Sequence, residues 1–177
     1  MDQKVILYIA ISQDGFIAGE DDSLDFLNTV QMAGEDYGYA KFIESIEAVV
    51  VGRKTYEKVI SMGYPYHEDK EVYVITRSHT ASNEKNLHYY HKDLSELIAY
   101  LKRTTKKNIY CDGGAQLAKH LIDQNQIDQI ILSVVPLRLN TGTLLFEKGE
   151  VPSTFKLNSS VEFQSGLIQN TYTKAIV

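Results

Sequence analysis

Cysteine occurs once in the 177 residues, as Cys111. A single thiol excludes an intrachain disulfide and a cysteine-based zinc site. A reducing cytoplasm is the simplest setting for such a chain. Long apolar runs are also missing. The longest near the start, Val5–Ile11, leads into Ser12-Gln13-Asp14-Gly15, which reads as a turn. It is a first strand rather than a signal peptide or a membrane span. Positive charge is not in excess. The net charge of −5 removes the general electrostatic case for nucleic acid or an anionic membrane. The three prolines and eleven glycines build no linker-like tract, and nothing repeats. Residues 1–177 therefore read as one domain.

What is present is an alternation. Five segments are apolar and rich in β-branched residues: Val5–Ile11, Ala48–Val51, Val72–Thr76, Asn108–Cys111 and Ile127–Val135. These read as buried strands. Helical spacing falls between them, in Tyr37–Glu47 (Ala40, Ile43, Ile46), in the stripe Leu94, Leu97, Ile98, Leu101, and in Ala115–Gln124. Asp93 or Ser95 is available to cap the second helix. Strands alternating with helices imply right-handed crossovers and a mostly parallel sheet covered on both faces. The end differs. Thr154–Phe163 and Leu167–Ile176 read as strands joined through Ser165-Gly166, an antiparallel hairpin on the sheet edge.

Two stretches suggest an anion site. In "AVVVGRKTYEKV" a buried strand ends at Gly52, and Arg53, Lys54 and Thr55 open a helix. In open α/β sheets ligands bind beyond the carboxyl ends of strands. Free N–H groups at a helix start favour an anion there. A solvated helix start capped by Thr55 would account for the same residues. "NIYCDGGAQLAKHL" repeats the pattern, with Gly113 and Gly114 between strand and helix. A third strand end, Thr76-Arg77-Ser78, offers a cation and two hydroxyls, although Arg77 also suits a plain surface. Standard fingerprints are absent: Arg53 stands where a phosphate-binding P-loop needs glycine, and no G-x-G-x-x-G occurs. Of His67, His79, His88, His91 and His120, only His88 and His91 are close in sequence, without a third ligand at suitable spacing. No metal site is expected.

Taken together, "ILYIAISQDGFIAG", "VVVGRKTYE", "YVITRS", "IYCDGGAQLAKHLI", "DQIILSVVPLRLNTGTLLF" and the closing hairpin resemble the dihydrofolate reductase-like superfamily. The resemblance covers nearly the whole chain. It is nearest to stand-alone relatives of the reductase domain of the bacterial bifunctional riboflavin-biosynthesis protein. It implies a single α/β domain with a mixed, mostly parallel central sheet flanked by helices. It also implies an NADPH site along the carboxyl edge. Gly52, Arg53, Lys54 and Thr55 would meet the cofactor's phosphates, and Thr76, Arg77 and Ser78 would lie near the adenosine and its 2′-phosphate. Gly113, Gly114, Ala115, Gln116 and Leu117 would cradle the pyrophosphate. Ala10 and Ile17 would flank the nicotinamide. A cis or otherwise strained Gly113–Gly114 peptide belongs to the same pattern.

The substrate side departs from the dihydrofolate reductase pattern. Tryptophan is absent, and Phe26 in "SLDFL" takes the place of the family's loop Trp. The resemblance implies a substrate-binding carboxylate on the helix before the G-R-x-T strand, and counting back from Gly52 reaches Asp36, with Glu35 beside it. Acidic residues at a helix start are also ordinary capping chemistry. Asp112 before the glycines is typical of the riboflavin-type branch. The expected protein is a cytoplasmic, homodimeric, NADPH-dependent reductase. It acts on a small pterin, pyrimidine or related heterocycle, in the manner of dihydrofolate reductase or 5-amino-6-(5-phosphoribosylamino)uracil reductase. The apolar late strand with Ile130, Leu132, Val134 and Leu137 would form the pairing surface. The alternative is a nucleotide-binding protein of the same fold without turnover.

Overall fold

The computed structural model describes residues 3–78, 82 and 84–175. His79 and the last residue of the expected strand Leu167–Ile176 lie outside them. The strands are β1 (Val5–Ser12), β2 (Phe16–Ala18), β3 (Ile46–Gly52), β4 (Glu71–Ile75), β5 (Leu87–Tyr90), β6 (Asn108–Cys111), β7 (Gln129–Val135), β8 (Thr143–Leu144), β9 (Phe155–Glu162) and β10 (Ile168–Lys174). The helices are α1 (Tyr39–Glu44), α2 (Arg53–Ser61), α3 (Leu94–Thr104) and α4 (Ala115–Asp123). Among the described residues no helix is long and apolar enough to cross a membrane.

Eight strands form one sheet in the order β5-β4-β3-β6-β1-β7-β10-β9. β5 through β7 run parallel, and β10 and β9 close the sheet antiparallel. The expected mixed sheet and terminal hairpin are both present, with β9 outermost. The β9–β10 register shifts at Thr171/Tyr172, an irregularity of bulge type.

Side chains alternate along a strand, so each face of the sheet can be read from the register. Leu7, Ile109, Cys111, Ile130 and Leu132 face α3 and α4, whose Leu97, Ile98, Leu101, Leu117 and Leu121 complete the larger core. On the other face Val49, Val51, Val74 and Tyr110 pack with Phe42 of α1 and Tyr56 of α2. A third cluster, Phe26, Val30, Val135 and Leu167, lies under the turn Asp25–Val30. The apolar stripe of α3 is buried as its spacing requires, and Asp93 caps it by accepting from Glu96 N–H at 3.0 Å.

Three sequence expectations change. The helix drawn over Tyr37–Glu47 spans only Tyr39–Glu44. Tyr37 (φ 56°) and Gly38 (φ 78°) are left-handed and hold back its start, while Ile46 is drawn into β3 by pairing with Asn108. β5 escaped detection because "LHYY" carries little apolar contrast at a sheet edge. Ile130 and Leu132 are 0% and 2% exposed. They serve the core of one chain and form no outward pairing surface.

The turn after β1 is tied to the segment that follows β7. Asp14 accepts from the Ser12 hydroxyl at 2.6 Å, from Leu139 N–H at 3.0 Å and from Asn140 N–H at 2.8 Å. Burial pushes its carboxyl up, but these hydrogen bonds outweigh it and bring the pKa down to about 2. A pKa below the unfolded value stabilises the fold in full above that value, and the contribution is lost as pH falls through about 2. Thermal melts between pH 5 and about pH 2 should therefore show Asp14→Ala with a lower Tm at pH 5. The gap from the parent should close toward the acid end. Parallel melting curves across that range would remove Asp14 from the account.

Candidate active site

The carboxyl ends of β1, β3, β4 and β6 lie along one edge because these strands are parallel. β3 passes directly into α2 through Gly52, and β6 leads into α4 through Gly113 and Gly114. Gly52 and Gly114 are the N-caps of these helices, and neither helix start has a side-chain cap. The contrast with α3, capped by Asp93, is informative. Two helix starts at one edge thus present backbone N–H groups and positive dipole ends together. Thr55 does not cap α2 as one sequence reading supposed. It lies inside the helix and turns toward the neighbouring loop, where a Cβ on Gly114 would stand 3.1 Å from its Oγ1.

The two loops touch. Gly52 N–H donates to the Gly113 carbonyl at 2.7 Å. A Cβ on Gly52 would meet Gly113 O and Gly114 N, both at 3.4 Å. Gly113 has φ 78°, a conformation that favours glycine. The Gly113–Gly114 peptide is cis, in line with the expectation from sequence.

Around this junction stand the expected polar residues. Arg53 and Lys54 are exposed, and Arg53 pairs with Glu57 at 2.6 Å along α2. Thr76 is buried at the end of β4, where its Oγ1 accepts from Ser78 N–H at 3.2 Å. Arg77 and Ser78 project beyond the strand into solvent. Ala115 and Gln116 open α4, whereas the Leu117 side chain is turned into the core, leaving its backbone to the edge. Ile17 on β2 packs against the larger core cluster.

A cleft of about 580 Å³ opens on the sheet face opposite α3 and α4, and Ala10 lines it. Tyr8 and Ser133 supply its polar floor, and Gln169 supports them from the next register position. Tyr8 on β1, Ser133 on β7 and Gln169 on β10 share this face. The Gln169 amide donates to Tyr8 Oη at 2.9 Å, and to Ser133 Oγ and the Tyr37 carbonyl at 3.2 Å each. Burial raises the Tyr8 pKa, and hydrogen bonds with Ser133 and Gln169 temper the rise. Sequence reasoning missed this floor. The signal was a polar residue interrupting each apolar run, Tyr8 in "VILYIAIS" and Ser133 in "QIILSVV".

Asp36 stands on the cleft wall and is exposed. Its carboxylate accepts from Ala40 N–H at 3.0 Å and Gly38 N–H at 2.9 Å, and these bonds hold its pKa below the usual carboxylate range. Glu35 accepts from Tyr37 N–H at 2.7 Å. Asp25 opens the neighbouring short helix and does not line the cleft. Phe26 is buried against Val135 and Leu167.

Comparison with known proteins agrees with this architecture. The family model described as RibD C-terminal domain matches residues 3–169. A solved protein from Shewanella sp. PV-4, named for riboflavin biosynthesis, is 26% identical with a TM-score of 0.87, covering 98% of this chain and 100% of that one. The Thermotoga maritima diaminohydroxyphosphoribosylaminopyrimidine deaminase/5-amino-6-(5-phosphoribosylamino)uracil reductase superposes with a TM-score of 0.73 at 17% identity, over 98% of this chain and 57% of that one. Enterococcus faecalis dihydrofolate reductase, solved with NADP(H), gives a TM-score of 0.66 at 18% identity, covering 97% and 96%. The last two likenesses establish the fold, which is dihydrofolate reductase-like.

Proposed function

The chain belongs to the RibD C-terminal domain family, and from that premise we propose that it is an NADPH-dependent reductase of a small pyrimidine- or pterin-type heterocycle. The observation that carries this reading is the meeting of two helix starts without side-chain caps at Gly52 and Gly113, next to a cleft with a polar floor. Such a junction suits a diphosphate. At Gly114 a Cβ would stand 3.1 Å from Thr55 Oγ1, tighter than an ordinary contact, so glycine keeps that approach open. Arg53, Lys54, Thr55 and the Gly113–Leu117 segment would hold the phosphates. Thr76, Arg77 and Ser78 would hold the adenosine end, with Ala10 and Ile17 toward the nicotinamide. NADPH, when bound, supplies hydride. The chain's residues orient the acceptor, and Tyr8, Ser133 and Gln169 give its heterocyclic edge hydrogen-bonding partners. A single catalytic domain in a cytoplasmic setting is part of the same reading. The buried Cys111 thiol suits it, and fractionation of native cells tests it.

A second reading keeps the nucleotide and drops the turnover, because both Asp36 oxygens already accept backbone N–H groups. Mixing the protein with NADPH and either dihydrofolate or 5-amino-6-(5-phosphoribosylamino)uracil separates the two. Loss of reduced-nicotinamide absorbance is expected. Tight NADPH binding with no oxidation of it by either compound would favour the binder.

Arg77 follows β4 at the edge assigned to the adenosine, and a 2′-phosphate calls for a cation. NADPH should bind more tightly than NADH, and Arg77→Ala should narrow that difference. Equal affinities in the parent at low salt would refute the assignment.

Asp36 offers a sharper test. If it handles substrate, Asp36→Asn lowers turnover at least ~10-fold with NADPH affinity unchanged. Asn caps nearly as well as Asp, so a purely capping Asp36 predicts unaltered turnover with the same compound.

The homodimer is also proposed. Its support is the outer hairpin, where Leu157, Val161 and Ile168 are 56%, 50% and 38% exposed. Light scattering should report twice the 20.0 kDa chain mass. A single-chain mass that persists to high concentration rules the pair out.

A further inference from the structure

Asp112 is a partly buried acid that the reading above leaves without a task. It follows β6, and its side chain lies on the cleft face of the sheet, two residues beyond Tyr110. No salt bridge reaches it among the described residues. Two tyrosines meet it instead. The Tyr110 hydroxyl donates to Oδ1 at 2.5 Å, and the Tyr66 hydroxyl donates to Oδ2. The Tyr110 hydroxyl also donates to the Tyr8 carbonyl at 3.3 Å, and the Tyr39 hydroxyl is close enough for Tyr110 to hold its pKa rise in check. Tyr39 lines the 580 Å³ cleft. Tyr66, at the other end, lines a separate cleft of about 100 Å³ beside Pro65, Glu68 and Asn86. The row therefore links a residue that lines one cleft to a residue that lines the other.

A carboxylate enclosed without a cation is costly to keep charged. Burial pushes Asp112 up, and the hydrogen bonds from Tyr110 and Tyr66 offset this only in part. Asp36 is the opposite case, held acidic at the cleft wall by backbone N–H groups. A group held ionised has little proton to give near neutral pH. The other titratable groups around Asp112 are Tyr8 from β1, Tyr39 from α1, Tyr66 and His67 from the segment after α2, and Tyr110 and Cys111 from β6. Burial raises all four tyrosines. The thiol is pushed up to about 12, chiefly by burial, and so stays protonated. The His67 ring packs on Tyr66 and Tyr110, and burial lowers its pKa toward the neutral form.

We infer that Asp112, Tyr110 and Tyr39 form a proton relay into the substrate cleft, refilled from the second cleft past Tyr66. The inference rests on the reductase reading. Reduction of a C=N or C=O bond adds a hydride to carbon and a proton to the heteroatom. The hydride is the cofactor's, and the proton is the relay's. Tyr39 gives its hydroxyl proton to the heteroatom and takes one from Tyr110. With the carboxyl neutral, the Asp112–Tyr110 hydrogen bond runs the other way, Oδ1–H donating to Tyr110; Tyr110 takes that proton as its own passes to Tyr39, and water entering by Tyr66 restores it. Each tyrosine ends as it began, since a hydroxyl both donates and accepts. One solvent proton is consumed per turnover.

Two measurements on the full chain decide it. In the free protein, NMR of carboxyl-13C aspartate follows Asp112, identified by the signal lost in Asp112→Asn. Its midpoint should lie above those of the other aspartates and should move in Tyr39→Phe, although Tyr39 does not touch the carboxylate. With whichever of the two test compounds the parent reduces, Tyr39→Phe and Tyr110→Phe should each lower kcat at least ~10-fold. They should leave the KM for NADPH unchanged and alter the pH profile in the same way as Asp112→Asn. An unmoved Asp112 midpoint in Tyr39→Phe overturns the relay, as does a Tyr39→Phe profile matching the parent's. A parent that oxidises NADPH with neither compound counts against the reductase reading alone, and the 13C titration still decides the relay.

Discussion

The contact on which the rest of the site depends is the hydrogen bond from Gly52 N–H to the Gly113 carbonyl, 2.7 Å long. It joins the ends of two neighbouring strands before either helix has begun. β3 and β6 pair from Ile46↔Asn108 to Val50↔Cys111, and this bond carries their alignment past the last ladder pair. With the loops fixed together, the starts of α2 and α4 are fixed together. A Cβ on Gly52 would already touch the opposite loop, at 3.4 Å from Gly113 O and Gly114 N, and the left-handed φ of Gly113 suits glycine alone. The small residues thus set the spacing between two helix ends, and the spacing decides what size of anion can rest between them.

The second organising fact is the unequal treatment of the two sheet faces. One face is apolar from β1 to β7 and is sealed by α3 and α4. The other is covered by α1 and α2 at one side and by the Asp25–Val30 turn at the other, which leaves the cleft between them. Only on this open face do the strands carry Tyr8, Ser133 and Gln169, whose mutual hydrogen bonds satisfy groups that burial would otherwise leave costly. The aromatic rings of Tyr8, Tyr39, Phe42 and Tyr110 pack together beside them, and Tyr8 and Tyr39 of this group line the cleft. Polar floor and aromatic wall together suit a flat ring with donors and acceptors on its edge.

Much of this was legible in the sequence because it rests on local signals. Val5–Ile11, Asn108–Cys111 and the α3 stripe were readable from apolar periodicity, and the glycines marked both strand ends. The parts that were not legible depend on partners distant in the chain. Ile46 fits a helical spacing but pairs with Asn108, 62 positions away by number. β5 exists because β4 offers it a ladder, not because "LHYY" demands a strand. Asp36 was readable as an acid near a helix start, but not as a group with both oxygens engaged. Tyr66, with left-handed His67 after it, reaches Asp112 across 46 positions, and no spacing rule announces such a meeting.

The irregularity at Thr171/Tyr172 bears on how the sheet ends. β9 presents an unpaired outer edge, and an unpaired edge is a template on which foreign strands can add without limit. The pairing passes from Ser159 to Leu157, so Asn158 is the extra residue and the bulge lies in β9 itself, where it increases the local twist; β9 also carries Lys156 and Glu162 near its two ends with Ser159 and Ser160 between. A twisted, polar rim of this kind gives a third strand little flat ground on which to continue the ladder. It favours a contact that closes on itself over one that propagates into a fibre, so the chain can keep apolar side chains near its rim without turning that rim into a seed for aggregation.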